Sequence, residues 1–288
     1  MTGPPILVGV DGSVPSLAAV EVAVGEAALR QRAVRIVYGD RWAGHPAWAN
    51  NDPAGELTGD RLSEPQQAIR DATDRAATVQ PVTNPVPVTC EVLPGDPATV
   101  LIRESAHADV LVLGHVGRGA FAELLLGSVA FKVAAHAACP VVITRGAQQT
   151  SGDVVVGVDG SATDDAPLRF AFHEAFLRGA DLRAVHAWNR PAISHHAVAA
   201  LSDTGPEENA HAQMLDEALS GWSRKYPTVT VHRQLTTEPA ATTIVDVSRR
   251  AQLVVLGTRG HSRFPGRRLG SISHAVLHHA ACPVAVIR

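Results

Sequence analysis

The sequence predicts an α/β protein made of two tandem domains, each a doubly wound, five-stranded parallel sheet. Three observations support this fold class: the length suits two domains, short apolar runs alternate with helical patterns, and the second half of the chain repeats the first. The 288 residues are 45% hydrophobic and 18% charged, a composition typical of folded domains rather than of disordered chains. Each half is long enough to bury a core of its own.

The internal duplication rests on four segments of the first half that recur, in the same order, in the second half. The matching pairs are residues 6–13 with 154–161, 110–114 with 253–257, 126–129 with 269–272, and 137–141 with 280–284. Collinear matches of this kind indicate a duplicated structural unit. We therefore predict domains at residues 1–145 and 153–288, joined by a small, polar linker at residues 146–152.

The predicted strands are short apolar runs, and helical patterns separate them. Residues 6–10 are apolar without alternation, which is typical of a strand buried on both faces. In the first half, strands are expected at residues 6–10, 34–38, 86–92, 110–113 and 141–144. Ser13 can cap the first helix, and helices are expected at residues 13–32, 65–79, from 97, and at 128–136.

The second half repeats this alternation, with strands expected at residues 154–158, 182–187, 229–235, 253–256 and 284–287. Strands separated by helices require right-handed crossovers, which produce a parallel sheet covered on both faces. Such sheets bind ligands beyond the carboxyl ends of their strands, where the strand order reverses. Candidate site residues are therefore sought after the first and fourth strands of each half.

A glycine-rich loop follows the fourth strand in each half, and both loops have the spacing G-x2-G-x9-G-S. The residues are Gly114, Gly117, Gly127 and Ser128 in the first half, and Gly257, Gly260, Gly270 and Ser271 in the second. Glycines let backbone N–H groups approach an anion closely, and a helix N-terminus adds N–H donors with a partial positive charge. The repeated spacing predicts a phosphate-binding loop, whereas a single such loop could equally be an ordinary turn before a serine N-cap. The lysine of a Walker P-loop is absent.

Asp11 and Asp159 directly follow the first strand of each half, each within the segment V-D-G-S. One interpretation is structural, because an aspartate before Gly-Ser can form an Asx turn or cap the next helix. The other is functional, with the carboxylate accepting a hydrogen bond from a base amino group or a ribose hydroxyl. The two roles are compatible because a carboxylate has several acceptor sites.

Net charge, hydrophobicity and cysteine content indicate which binding partners and which cellular location to expect. A net charge of −3 argues against a nucleic-acid binder, since such domains are usually strongly basic. No apolar run is long enough to suggest a membrane span. The three cysteines cannot all pair and no signal-peptide pattern is visible, so a cytoplasmic location is expected. No resident metal site is predicted.

Taken together, these motifs resemble those of the universal stress protein family. The resemblance rests on V-G-V-D-G-S at the first strand, the G-x2-G-x9-G-S loop, and C-P-V at the start of the fifth strand, in both halves. The tandem arrangement is similar to that of two-domain members from actinobacteria. The resemblance implies an adenine nucleotide alpha hydrolase-like fold, membership of the ATP-binding branch, and a regulatory role in a stress or dormancy response.

By position, the resemblance implies one ATP site in each half. In the first half, the implied contacts are Gly9, Asp11, Gly39, Gly114, Gly117, Arg118, Gly127, Ser128 and Val129. In the second half, they are Gly157, Asp159, Ala187, Gly257, Arg259, Gly260, Gly270, Ser271 and Ile272. The aspartates would face the adenine or the sugar, the backbone of Gly39 and Ala187 would meet the adenine edge, and the loops would hold ribose and phosphates. Any Mg²⁺ would arrive with the nucleotide.

The sequence predicts no catalytic residue, because no acid or base beside the loop is repeated in both halves. Phosphoryl transfer needs positioned cations and an oriented nucleophile, so a regulatory binder is the favoured function. The alternatives are a slow ATPase or nucleotidyl-transfer enzyme of related fold, and a partner-binding scaffold with relic pockets. The resemblance further implies that the halves pair through their fifth strands as a pseudo-dimer, and that two chains form a homodimer.

Overall fold

The computed structural model describes residues 3–41, 56–117, 126–146, 149–161, 164–188, 205–258 and 269–288, with the backbone alone at 56–63 and 206. The chain divides into two compact units, Met1–Arg145 and Gly146–Arg288. Each unit is a parallel α/β domain, so the predicted fold class is confirmed. No helix in the described ranges is long and apolar enough to cross a membrane.

The first unit alternates strands and helices from its first residues to its last. Its elements are β1 (Ile6–Gly9), α1 (Val14–Arg30), β2 (Val34–Asp40), α2 (Glu56–Thr78), β3 (Val88–Pro94), α3 (Pro97–Glu104), a 3₁₀ turn (Ser105–His107), β4 (Val110–Gly114), α4 (Ser128–His136) and β5 (Val141–Thr144). The strand order is β3-β2-β1-β4-β5. Ile6 pairs with Val34 on one side and with Val110 on the other, so the order reverses between β1 and β4.

The second unit repeats this plan. Its elements are β6 (Asp153–Gly157), α5 (Asp165–Arg178), β7 (Leu182–Ala187), α6 (Gly205–Lys225), β8 (Val231–Thr236), α7 (Ala240–Ser248), β9 (Ala251–Gly257), α8 (Ser271–His279) and β10 (Val284–Ile287). The strand order is β10-β9-β6-β7-β8. Val154 pairs with Leu182 and with Leu253, so this sheet also reverses its order beside the first strand of the unit.

Local signals account for the first helix. The Ser13 hydroxyl oxygen accepts a hydrogen bond from the backbone N–H of Ser16 at 3.3 Å, as expected of an N-cap residue. Pro15 lies in the first turn, where its missing N–H costs nothing. Gln31 ends the helix in the left-handed conformation with φ 54°, and its backbone N–H bonds back into the last turn.

The predicted start of the second helix was wrong. Residues 56–64, which precede the predicted start at residue 65, belong to α2, and Pro65 lies inside that helix. Proline lacks one N–H donor, which weakens a helix without forbidding it where neighbouring residues favour helix. The proline therefore did not mark the helix boundary, and α2 begins nine residues before it.

Two cysteines, one just before the last strand of each unit, are buried in the packed core. Burial raises the pKa of the Cys139 and Cys282 thiols to about 12, and both side chains are buried. Because the thiolate is the reactive form, we expect neither to react with a thiol reagent near pH 8, which is about half a unit below the pKa of an unperturbed thiol. Cys90 is half-buried and should be modified in the native protein. Mass analysis should therefore detect one label before denaturation and three after it; labelling of Cys282 in the native protein would contradict this packing.

Candidate functional site

In the first unit, the two sequence features predicted to form a site lie against each other. Asp11 follows β1, and Gly117 follows β4. A Cβ atom built on Gly117 would lie 2.3 Å from the Asp11 Oδ2 atom, so only glycine allows the loop to approach this carboxylate so closely. The topology therefore brings the end of β1 and the glycine-rich loop after β4 together, beside the place where the strand order reverses.

Asp11 forms the Asx turn that the sequence suggested as its structural role. Its Oδ1 atom accepts hydrogen bonds from the Ser13 backbone N–H at 3.0 Å and from the Ser13 hydroxyl at 2.6 Å. These bonds form an Asx turn and leave Oδ2 directed toward Gly117. One carboxylate oxygen thus shapes the loop, and the other faces the glycine-rich segment.

The glycine-rich loops of both units end in the same way at a helix start. The Gly127 backbone N–H donates to the His115 carbonyl oxygen at 2.7 Å, and the Gly270 N–H donates to that of Thr258 at 2.8 Å. In the described part of the chain, no side chain caps the helix that follows either glycine. The first-turn N–H groups of α4 and α8 therefore remain as donors for an anion.

Three other predicted glycines of the first unit have packing reasons to be glycine. A Cβ on Gly39 would lie 2.7 Å from the Pro97 Cα atom, and one on Gly114 would lie 2.7 Å from the Pro15 backbone. A Cβ on Gly9 would lie 2.6 Å from the Leu113 side chain. These glycines let helices and strands pack closely beneath the site. That requirement explains their residue type without any ligand.

The second unit contains a cavity of about 670 Å³ at the carboxyl ends of β6, β7 and β9 and the start of α8. Seven of the residues predicted from the sequence line it: Gly157, Asp159, Ala187, Gly257, Gly270, Ser271 and Ile272. The structure thus brings together residues separated by more than a hundred positions in the chain. Arg259 and Gly260, also predicted, lie outside the described residues, as does Arg118 of the first unit.

One wall of this cavity is formed by aromatic rings that sequence reasoning missed. The Trp188 and His211 rings are stacked with centroids 4.9 Å apart, and the His186 ring lies 5.1 Å from that of His211. All three line the cavity. Stacked aromatic faces suit a planar base.

A second carboxyl group, Asp164, also lines the cavity and was not predicted. Its Oδ2 atom accepts hydrogen bonds from the backbone N–H groups of Gly160 at 2.7 Å and Asp159 at 3.1 Å. Burial, followed by the charge of Asp159, raises the pKa of Asp164 to about 6. Comparison of the two halves did not indicate Asp164 as a site residue, because the matching position in the first unit is Ser16.

Comparison with known proteins gives a consistent family assignment. The universal stress protein family model matches residues 4–145 and 151–288. A universal stress protein of Mycobacterium tuberculosis is 34% identical, with 98% of this chain and 94% of the relative covered. The crystal structure of a universal stress protein from Archaeoglobus fulgidus covers 98% of this chain and 95% of its own, with a TM-score of 0.69 at 18% identity.

A universal stress protein solved in complex with cAMP matches 49% of this chain and 97% of its own, at 27% identity and a TM-score of 0.39. The family model accounts for both halves of the chain, and the relative from M. tuberculosis extends over nearly all of it. The two repeated units described above are therefore two copies of one family domain, and the chain belongs to the universal stress protein family as a tandem, two-domain member.

Proposed function

We propose that this protein is a regulatory ATP-binding protein in which each unit holds one adenine nucleotide. The observation that carries the proposal is the cavity of the second unit, where a carboxylate, a strand end and an uncapped helix start meet. Its volume of about 670 Å³ lies in the range of cavities that hold small organic ligands. The corresponding elements of the first unit place Asp11 and Gly117 together.

The residues that line the cavity suit the different parts of a nucleotide. At the start of α8, the backbone N–H groups of Ser271 and Ile272 would bind phosphate oxygens, helped by the helix dipole. Elsewhere in the lining, Asp159 would accept from the ribose or the base, and the ring of Trp188 offers an apolar face. An ATP-bound Mg²⁺ would add charge neutralisation on the phosphates.

Slow hydrolysis of ATP is the second candidate function, because the cavity is lined by groups that can act on water. Asp164 and His211 both line the cavity, and groups of this kind can orient a water molecule. The described lining residues include no lysine or arginine, although phosphoryl transfer usually employs such cations. We therefore favour binding as the function and hydrolysis as a minor activity. Phosphate release well above the uncatalysed background would instead identify an ATPase.

The proposal is tested by identifying the ligand that the protein carries from cells. Protein isolated gently and denatured at once should release an adenine nucleotide, which mass analysis would identify. Protein that releases none should be titrated with ATP and Mg²⁺ by calorimetry. Absence of both a copurified nucleotide and calorimetric binding would contradict the proposed function and favour a scaffold with relic pockets.

A further inference from the structure

The cavity of the second unit is lined by four titratable side chains among the residues that the structure describes: Asp159, Asp164, His186 and His211. We propose that nucleotide binding by the second unit is linked to the uptake of a proton by the Asp159–Asp164 carboxyl pair. This inference rests on the proposed function, and it adds a form of regulation that the first unit lacks.

The carboxyl pair is held together by the loop that follows β6. Asp164 accepts the backbone N–H groups of Asp159 and Gly160, while Asp159 Oδ1 accepts the backbone N–H of Ser161 at 2.9 Å. These bonds fix two half-buried acidic side chains at the same cavity wall. Burial and the neighbouring carboxylate of Asp159 both disfavour the ionised form of Asp164, and its raised pKa of about 6 agrees with this geometry.

The two imidazoles that line the cavity form one hydrogen-bonded chain that ends on the backbone. His186 Nδ1 lies 2.8 Å from the Val158 carbonyl oxygen, which can only accept, so this nitrogen carries a proton. His186 Nε2 lies 3.0 Å from His211 Nδ1, so one proton lies between the two rings.

The first unit provides an internal comparison. At the positions 148 residues earlier, Ser16 replaces Asp164 and Tyr38 replaces His186. The Ser16 hydroxyl oxygen accepts the backbone N–H of Asp11 at 3.4 Å, so a neutral group performs the structural task of Asp164. Neither replacement titrates between about pH 5 and pH 8, and proton linkage through a carboxyl pair is therefore expected in the second unit alone.

The sign of the effect follows from the charge of the ligand. A nucleotide polyanion disfavours a nearby carboxylate, and it also removes water from the cavity, so occupancy raises the pKa of Asp164 further. The bound state then holds more protons than the free state, and affinity rises as the pH falls through the region around 6. For a further rise of about one unit, binding should tighten about fivefold between about pH 7.5 and about pH 5.5.

The experiment compares Asp164 with the residue that the first unit has at this position. Both proteins carry Gly117→Asp, which blocks the first site, and one also carries Asp164→Ser. ATP is titrated into each by calorimetry across this pH range, in two buffers with different ionisation enthalpies. The phosphates of ATP titrate identically in both arms, so the difference between the two proteins isolates the carboxyl pair. Asp164→Asn, which keeps the shape and an acceptor oxygen, is the second variant if the serine protein folds poorly.

We expect proton uptake and a pH-dependent gain in affinity with Asp164, and the loss of both in Asp164→Ser. Equal pH profiles for the two proteins, with ATP bound in each, would overturn the inference and leave the proposed function standing. Failure of the Gly117→Asp protein with Asp164 intact to bind ATP at any pH, when Gly260→Asp protein also fails to bind it, would instead overturn the proposed function. A pH response that is present and unchanged in both variants would assign the linkage to the imidazoles and contradict the role of Asp164.

Discussion

Replacing Glu174 by alanine is expected to lower the free energy of unfolding by about 3 kcal/mol, because the partner of a buried cation would be lost. Glu174 is fully buried in α5 and pairs with Arg178 one turn later, whose side chain is also buried for the most part. The same pair occurs in α1 as Glu26 with Arg30. Removing the Glu174 carboxylate takes this ion pair away from a site largely closed to water.

Urea unfolding monitored by circular dichroism measures this effect. Asp246→Ala serves as the control, because its pairing with Arg249 is exposed on both sides and its loss should cost at most about 0.5 kcal/mol. A double replacement of Glu174 and Arg178 by leucine should cost less than Glu174→Ala alone, since no charge remains buried. Equal stability of Glu174→Ala and the control would contradict this account of the α5 pair.

The second large effect is expected at the glycine loop of the first unit. Gly117→Asp should weaken ATP binding at that site about a hundredfold, or about 2.7 kcal/mol. The new Cβ would lie 2.3 Å from Asp11 Oδ2, so either the loop moves or the Asp11 carboxylate leaves its hydrogen bonds to Ser13. The added side chain would also bring a second negative charge to a place proposed for a polyanion.

Gly25→Asp is the matched control for this substitution. Gly25 lies on the exposed face of α1, and nothing lies within 4 Å of a Cβ built there. The control carries the same change of residue and of charge, away from the proposed site. Calorimetry with ATP should therefore show unaltered binding in Gly25→Asp, and equal affinity in the two variants would exclude Gly117 from the site.

Much of the fold could be predicted because the second half of the sequence repeats the motifs of the first. Buried parallel strands are continuous apolar runs, so their positions were visible from hydrophobicity alone. The meeting of Asp11 and Gly117 was also predictable, because topology brings the ends of the first and fourth strands together. The start of α2 was not predictable, because Pro65 resembles a helix boundary and lies within the helix instead.

The residues that distinguish the second unit could not be predicted from the repeat. Asp164 and Trp188 replace Ser16 and Asp40 of the first unit, so comparing the halves concealed them. His211 lies on α6, whose sequence has no match in the first half. Its contact with His186 joins residues 25 positions apart, and only the tertiary fold brings these rings together.

The packing roles of two glycines beneath the first site also could not be predicted from the sequence. The family resemblance implied ligand contacts for Gly39 and Gly114, whereas each has a protein neighbour that leaves no space for a Cβ. Their partners, Pro97 and Pro15, lie far away in the sequence. Pattern alone could not separate a glycine that approaches a ligand from one that approaches another backbone segment.

The central claim is that both units bind an adenine nucleotide, and counting ligands on the intact chain tests it most directly. Native mass spectrometry of the full chain with saturating ATP and Mg²⁺ reports the number of nucleotides bound to each molecule. We predict two nucleotides per chain, and one in each of the single variants Gly117→Asp and Gly260→Asp. A chain that carries fewer than two nucleotides under these conditions would contradict the claim.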